Sequence, residues 1–153
     1  MKYYSINNSL NNKIVGTYPQ VINAIHHCDV WNEPKFIDRI DFVKIDIDPI
    51  VSNAILEKKA KLTDLISAGN IGFSLKLLIS TKFKDIIEKY LKGQCQFFNS
   101  SVNFKNEEID DYWILHPFKF EIEFIDFSNC KIVIRVKKKE GGTEPKVIQV
   151  NSY

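Results

Sequence analysis

Arginine, glycine and long apolar runs are all scarce in this chain of 153 residues. The chain has two arginines, Arg39 and Arg135, and nineteen lysines. Because arginine makes the bidentate contacts to phosphates and base edges, specific nucleic-acid readout is disfavoured. Six glycines leave little material for a phosphate-binding loop, and the GxGxxG, P-loop, HExxH and nucleophile-elbow motifs are all missing. No run approaches the roughly 18–20 apolar residues that span a bilayer. We expect no membrane segment and no cofactor.

Cysteine is also sparse, and its placement indicates a compartment. Cys28, Cys95 and Cys130 are odd in number and widely spaced, which suits the reduced thiols of a cytosol better than a disulfide framework. The segment Met1–Ser5 lacks the apolar core of a secretory signal. The net charge of +2 gives no argument for a nucleic-acid or membrane partner. We therefore expect a cytoplasmic protein.

What the chain does contain is ordinary globular material. Apolar residues make up 44% and charged residues 26%, which is enough to bury a core at this length. No internal repeat or low-complexity linker divides the sequence, so residues 1–153 are predicted to form a single domain.

The clearest predicted element is an amphipathic helix over residues 80–92. Ser80 or Thr81 can cap its first amides, and Gly93 is a natural stop. One face repeats at three-to-four spacing and carries Phe83, Ile86, Ile87, Tyr90 and Leu91.

The remaining elements are mostly strands, with one or two short helices. Pro19 followed by apolar residues 21–25 predicts a short helix. Strands are expected at 42–48, 95–104, 111–118, 131–137 and 146–150, the last two joined through the Gly141–Gly142 turn. Strands and helices do not alternate regularly, so the predicted class is α+β with a mainly antiparallel sheet.

The residues that could carry metal or covalent chemistry are few. His26, His27, Cys28 and Asp29 are adjacent, and neighbouring side chains diverge, so no metal site is predicted. A cysteine–histidine pair would have to form in space. His116 with Cys95, Cys130 or a carboxylate is the alternative hypothesis of a small hydrolase or transferase. The first hypothesis is that the protein is not an enzyme.

Two charged segments suggest partners. From 107 to 126 there are seven acids and one base, which is typical of either a solvated loop or an anionic surface for a basic protein. The candidate partner-binding residues are Glu107, Glu108, Asp110, Asp111, Tyr112 and Trp113. The Lys-rich stretch around 137–139 is either an exposed hairpin that deters aggregation or a site for non-specific phosphate contact.

Residues 61–126 resemble the small immunity proteins of bacterial polymorphic toxin systems, of the immunity protein 43 and immunity protein 11 type. The matching segments are Thr63-Asp64-Leu65-Ile66-Ser67, the strand-to-helix run from Leu77 to Ile87, Gln96-Phe97-Phe98, Tyr112-Trp113-Ile114-Leu115-His116 and Ile125-Asp126-Phe127-Ser128. Asn99 departs from the proline expected after the paired aromatics, and the end at Tyr153 is typical of a short or incomplete member.

The resemblance implies a single-domain cytoplasmic protein that binds and neutralises a cognate toxin domain without a cofactor. It transfers no catalytic residue to this sequence. It also leaves the toxin, the contact residues and the oligomeric state open.

Overall fold

The structure is a computed structural model that describes residues 6–67, 76–118, 131–137 and 142–149. The chain divides into two compact units, Met1–Phe120 and Glu121–Tyr153. The single-domain arrangement of residues 1–153 stays a prediction.

The first unit contains two short helical segments, one longer helix and eight strands among its described residues. In chain order these are α1 (Asn12–Val15), β1 (Val21–Ile25), a 3-10 helix (Ile37–Arg39), β2 (Asn53–Leu56), β3 (Leu65–Ile66), β4 (Leu77–Ser80), α2 (Thr81–Tyr90), β5 (Cys95–Asn99), β6 (Val102–Phe104), β7 (Glu107–Ile109) and β8 (Tyr112–Pro117). The predicted α+β class is confirmed. None of the described helices is long and apolar enough to cross a membrane.

The strands of the first unit form two four-stranded sheets. The first sheet has the order β1-β2-β6-β7, and the second has the order β3-β4-β8-β5. Every pairing is antiparallel except that of β2 with β6, where Ala54 lies opposite Val102. In the second sheet Leu78 lies opposite Ile114, and Ile114 lies opposite Phe98.

Side-chain alternation along β4 and β8 arranges the first unit in layers. Leu78 and Ile114 point to one face and pack with the buried residues of the first sheet, such as Val102. Ile79 and Leu115 point to the opposite face and pack against Ile87 of α2. The second sheet therefore lies between the helix and the first sheet.

The predicted helix over 80–92 is confirmed as α2 with the expected cap. The Ser80 side chain accepts a hydrogen bond from the Phe83 amide at 3.2 Å, which satisfies one of the free amides of the first turn. Gly93 takes a positive φ of 69° just beyond the helix end, a conformation that costs glycine no steric strain.

Three predictions of local structure are wrong. Residues 21–25 are the strand β1 rather than a helix, because they pair with β2. Residues 42–48 are irregular rather than a strand, and Phe42 has a φ of 55° that a strand does not allow. The predicted strand 95–104 is broken after Asn99, and its two halves belong to different sheets.

The described part of the second unit is a hairpin. Strand β9 (Lys131–Lys137) pairs antiparallel with β10 (Thr143–Gln149), in a register that sets Val133 opposite Val147. The strand at 131–137 is thus confirmed, and its partner begins three residues before the predicted 146–150. Residues 138–141 of the predicted turn and Val150 lie outside the described residues.

Candidate functional site

The four predicted acids lie at one edge of the first sheet. Glu107 and Glu108 are exposed on β7, which ends the described strand order of that sheet, and Asp110 and Asp111 are exposed in the step to β8. Glu108 accepts a hydrogen bond from the Ser101 hydroxyl. The four carboxylates are thus exposed along this edge, with Glu107 and Glu108 on opposite faces of β7 because side chains alternate along a strand.

A tight turn explains why such an acidic segment forms a strand at all. Lys105 and Asn106 join β6 to β7 with φ values of 53° and 67°, which is the pattern of a two-residue type I′ turn. Asparagine tolerates this left-handed region better than most residues do. The turn pairs Phe104 with Glu107 and fixes the register of the hairpin.

The two predicted aromatic residues have partners within the fold. Tyr112 is buried and its hydroxyl donates to the Thr63 carbonyl oxygen at 3.1 Å. Burial, followed by the nearby charges of Asp111 and Asp64, raises the pKa of Tyr112 to about 12. The Trp113 indole is half-buried and donates to the Thr81 hydroxyl at 2.8 Å. Tyr112 is therefore largely buried, and its exposed part lines a groove.

That groove, of about 680 Å³, lies beside the acidic edge. Its lining joins three apolar side chains to polar and charged groups: Ile14, Leu62, Ile109, Thr63, Asp64, Ser80, Lys82, Asp111 and Tyr112. Ile14 is 55% exposed and Leu62 is 46% exposed. The groove is thus an open site with apolar walls and two carboxylates.

Close packing at Gly16 places Ile14 on this site. The φ of Gly16 is +80°, and a Cβ added there would lie 2.0 Å from the Lys59 carbonyl oxygen. The Lys61 amide also donates to the Val15 carbonyl oxygen at 2.9 Å. Only glycine allows this approach, which holds α1 against residues 59–61.

Asp64 is the most strongly held charge in the groove. The Ser80 hydroxyl donates to its carboxylate at 2.8 Å, and Lys82 Nζ lies 3.4 Å from the other oxygen. The Ser80 hydrogen bond, with a smaller contribution from Lys82, keeps the pKa of Asp64 below its ordinary value. Asp64 therefore stays ionised at neutral pH.

The hydroxyl groups of the groove are engaged in structural bonds. The Thr63 hydroxyl donates to the Leu65 carbonyl oxygen at 2.8 Å, and the Ser80 hydroxyl is shared between Asp64 and the helix cap. Within residues 6–67, 76–118 and the described hairpin, no group of three or more His, Cys, Asp and Glu residues could hold a metal ion. The groove thus offers charge and shape rather than an activated nucleophile.

His116 lies away from this groove, inside the first unit. It is 1% exposed, and its Nε2 atom is 2.8 Å from the Val43 carbonyl oxygen. The Cys95 thiol bonds instead to the Leu91 carbonyl oxygen at 3.7 Å, and Cys130 lies outside the described residues. This arrangement gives the hydrolase or transferase alternative no support.

The adjacent residues 26–29 point to separate partners. His26 Nδ1 lies 2.7 Å from the Ser52 hydroxyl, whereas the Asp29 carboxylate accepts from the Trp31 amide and the Asn32 side chain. The Asn32 and Trp31 hydrogen bonds keep the pKa of Asp29 below its ordinary value. Asp29 therefore closes a turn that leaves the Trp31 side chain 80% exposed.

The Lys-rich hairpin is described only in its strands. Arg135 and Lys146 are exposed on β9 and β10, whereas Lys138 and Lys139 lie outside the described residues. Nucleic-acid contact by this hairpin stays a hypothesis.

Only one side of the groove was predictable from the sequence. Asp111 and Tyr112 lie within the predicted acidic and aromatic segment, whereas Ile14 and Leu62 are distant from it in sequence and carry no local signal of binding. No family model, no curated protein and no solved structure matches the chain. The geometry of the groove and its acidic edge is therefore the basis for assigning a function.

Proposed function

We propose that this chain is a non-enzymatic immunity-type protein that binds and neutralises a cognate bacterial toxin domain. The acidic edge, formed by Glu107, Glu108, Asp110 and Asp111 beside the groove, is the proposed contact surface. The observation that carries the proposal is the juxtaposition of these exposed carboxylates with a groove that has apolar walls. The resemblance of residues 61–126 to immunity proteins supplies the partner class.

The groove suits a long basic side chain of the partner. A lysine or arginine can lay its aliphatic stem along apolar walls such as Leu62 and Ile109 while its charged end reaches a carboxylate. Of the two carboxylates within the groove, Asp64 is already ion-paired with Lys82, so Asp111 is the carboxylate that such a side chain would reach. Toxin domains that act on nucleic acids are rich in such basic side chains because they must bind phosphates.

The acidic edge would also speed the encounter. Like charges gathered on one exposed edge create a local field that steers an oppositely charged partner, even though the whole chain carries a net charge of +2. A bound basic active site would then be covered by a surface of roughly 800 Å² on each partner.

Co-expression with the toxin encoded beside this gene tests the proposal. We expect growth arrest by the toxin to be relieved and a complex of the two proteins to be purified. If growth arrest persists and no complex forms, the proposal is wrong.

Paired charge reversals test the contact surface separately. Glu107→Lys with Asp111→Lys should slow association with the toxin by about tenfold or more at low salt, because steering charges act mainly on the association rate. Asp46→Lys with Asp48→Lys is the matched control, since these acids are also exposed and the change in charge is the same. Equal effects of the two pairs would show that the acidic edge is not the contact surface.

A further inference from the structure

Residues 38–47, called the strap here, are held against the second sheet by side chains that include two titratable groups. Gln96 on β5 clamps the strap at Ile45, accepting from its amide at 2.7 Å and donating to its carbonyl oxygen at 2.8 Å. His116 on β8 holds the strap at the Val43 carbonyl oxygen. An irregular segment is therefore fixed by bonds from two neighbouring strands.

An ion pair with a buried lysine holds the start of the strap. The Lys76 side chain is 2% exposed, and its Nζ atom lies 3.3 Å from Asp41 and 3.9 Å from Asp38. Asp41 is partly open to solvent, whereas the Asp38 side chain is 11% exposed. Neither carboxylate oxygen of Asp38 has a hydrogen-bond partner within the described part of the chain. Asp38 thus gains only part of the stabilisation that a buried carboxylate needs.

His116 is buried in the neutral form. A carbonyl oxygen only accepts, so Nε2 must carry the proton that bonds to Val43. The other ring nitrogen, Nδ1, is buried without a partner among the described residues. The Phe98 ring lies 6.3 Å from the His116 ring, between centroids. A proton added at Nδ1 would therefore find no acceptor, and Lys76 adds a repulsive charge nearby.

Burial shifts the pKa values of Asp38 and His116 in opposite directions. It raises the pKa of Asp38 to about 6, with Lys76 opposing the shift and Asp41 adding to it. Burial also lowers the pKa of His116, a shift that Lys76 reinforces and that the Val43 bond and Asp41 oppose. The charged groups that act on each site are thus the same pair, Lys76 and Asp41. Lys44 and Asp46 of the strap pair with each other in solvent.

We propose that Asp38 and His116 form a pH-compensated latch on the strap, in which proton uptake by Asp38 tightens the strap and proton uptake by His116 loosens it. When the strap opens, both groups regain their ordinary pKa values. Closed Asp38 binds its proton more tightly than open Asp38, so its contribution to closure grows as pH falls from about 6 towards 3.8. Closed His116 binds its proton less tightly, so its contribution is lost as pH falls below 6.5. As pH falls through the acidic range, the contribution of Asp38 to closure of the strap therefore grows while that of His116 declines.

Hydrogen exchange at the Ile45 amide tests the latch, because that amide is bonded to Gln96 only while the strap is closed. Protection factors, corrected for intrinsic exchange, would be measured by NMR at pH 7 and pH 4.5 in the full chain. In Asp38→Asn, protection should fall on acidification more steeply than in the wild type. In His116→Gln, whose amide can still donate to Val43, protection should rise by about 25-fold between pH 7 and pH 4.5, as expected from the raised pKa of Asp38.

The double variant Asp38→Asn with His116→Gln shows how the protection at Ile45 depends on pH when both groups of the latch are absent. Its pH slope should lie between those of the single variants. The proposal is overturned if Asp38→Asn and His116→Gln shift the slope in the same direction, or if neither differs from the wild type. If His116→Gln fails to fold, as judged by circular dichroism, the steeper acid loss in Asp38→Asn decides alone.

Discussion

Replacing Gln20 with methionine should destabilise the first unit more than almost any other single polar substitution. Gln20 is 0% exposed, and its side-chain amide is satisfied on both sides. Its nitrogen donates to the Lys61 carbonyl oxygen at 2.7 Å and to the Thr63 hydroxyl at 3.1 Å. Its oxygen accepts from the amide and the hydroxyl of Ser67, at 3.0 Å and 3.2 Å. Methionine fills a similar volume and makes none of these bonds.

The size of the effect follows from the groups left without partners. The Ser67 amide and the Ser67 hydroxyl, both buried, lose the Gln20 oxygen as their acceptor, and each buried donor left without a partner costs about 1–3 kcal/mol. We therefore expect the free energy of unfolding to fall by about 4 kcal/mol. With a urea m-value of about 2 kcal/mol/M, the midpoint should drop by about 2 M at an unchanged m-value.

Urea unfolding followed by tryptophan fluorescence would measure this change. Gln94→Met is the matched control, because Gln94 is exposed and its substitution should stay within about 0.5 kcal/mol of the wild type. A loss below about 1 kcal/mol for Gln20→Met would refute the argument that the buried amide is needed to satisfy its neighbours.

Two further predictions concern the cap and the buried phenol. Ser80→Ala removes the cap of α2 and should cost about 1 kcal/mol or more in chemical unfolding. It should also raise the pKa of Asp64 towards its ordinary value in an NMR titration, since Ser80 is the main cause of the lowered pKa. In an alkaline absorbance titration, we expect one tyrosine to ionise only near pH 12. This late step should be absent from the titration of Tyr112→Phe. The stability that neutral Tyr112 contributes is present below pH 10 and is lost as the pH rises towards 12.

The sequence predicts α2 well because its signals are local. The Ser80 cap, the apolar spacing and Gly93 all lie within one segment and agree with each other. The strap shows the opposite case. Its alternating apolar and polar residues imitate a strand, yet the backbone bonds of Ile45 go to the Gln96 side chain instead of to a neighbouring strand.

The candidate site was predictable only in part, because much of it depends on contacts between residues that are distant in sequence. Acidic residues are depleted in strands, so Glu107 and Glu108 indicated a loop. The strand β7 exists because the turn at Lys105 and Asn106 folds it onto β6. The groove then depends on Ile14 reaching Leu62 and Ile109 through tertiary packing, which no local pattern encodes.

The position of β6 and β8 in the two sheets has a consequence for how the first unit is made. Strand β6 joins β2 to β7, and β8 lies between β4 and β5. Until residues 102–117 have been synthesised, β1–β2 and β3–β4 are isolated strand pairs and β5 has no described partner. Isolated pairs are marginal in water. We therefore expect the nascent first unit to stay open on the ribosome until residues 102–117 have emerged, since this one stretch supplies a central strand to each sheet.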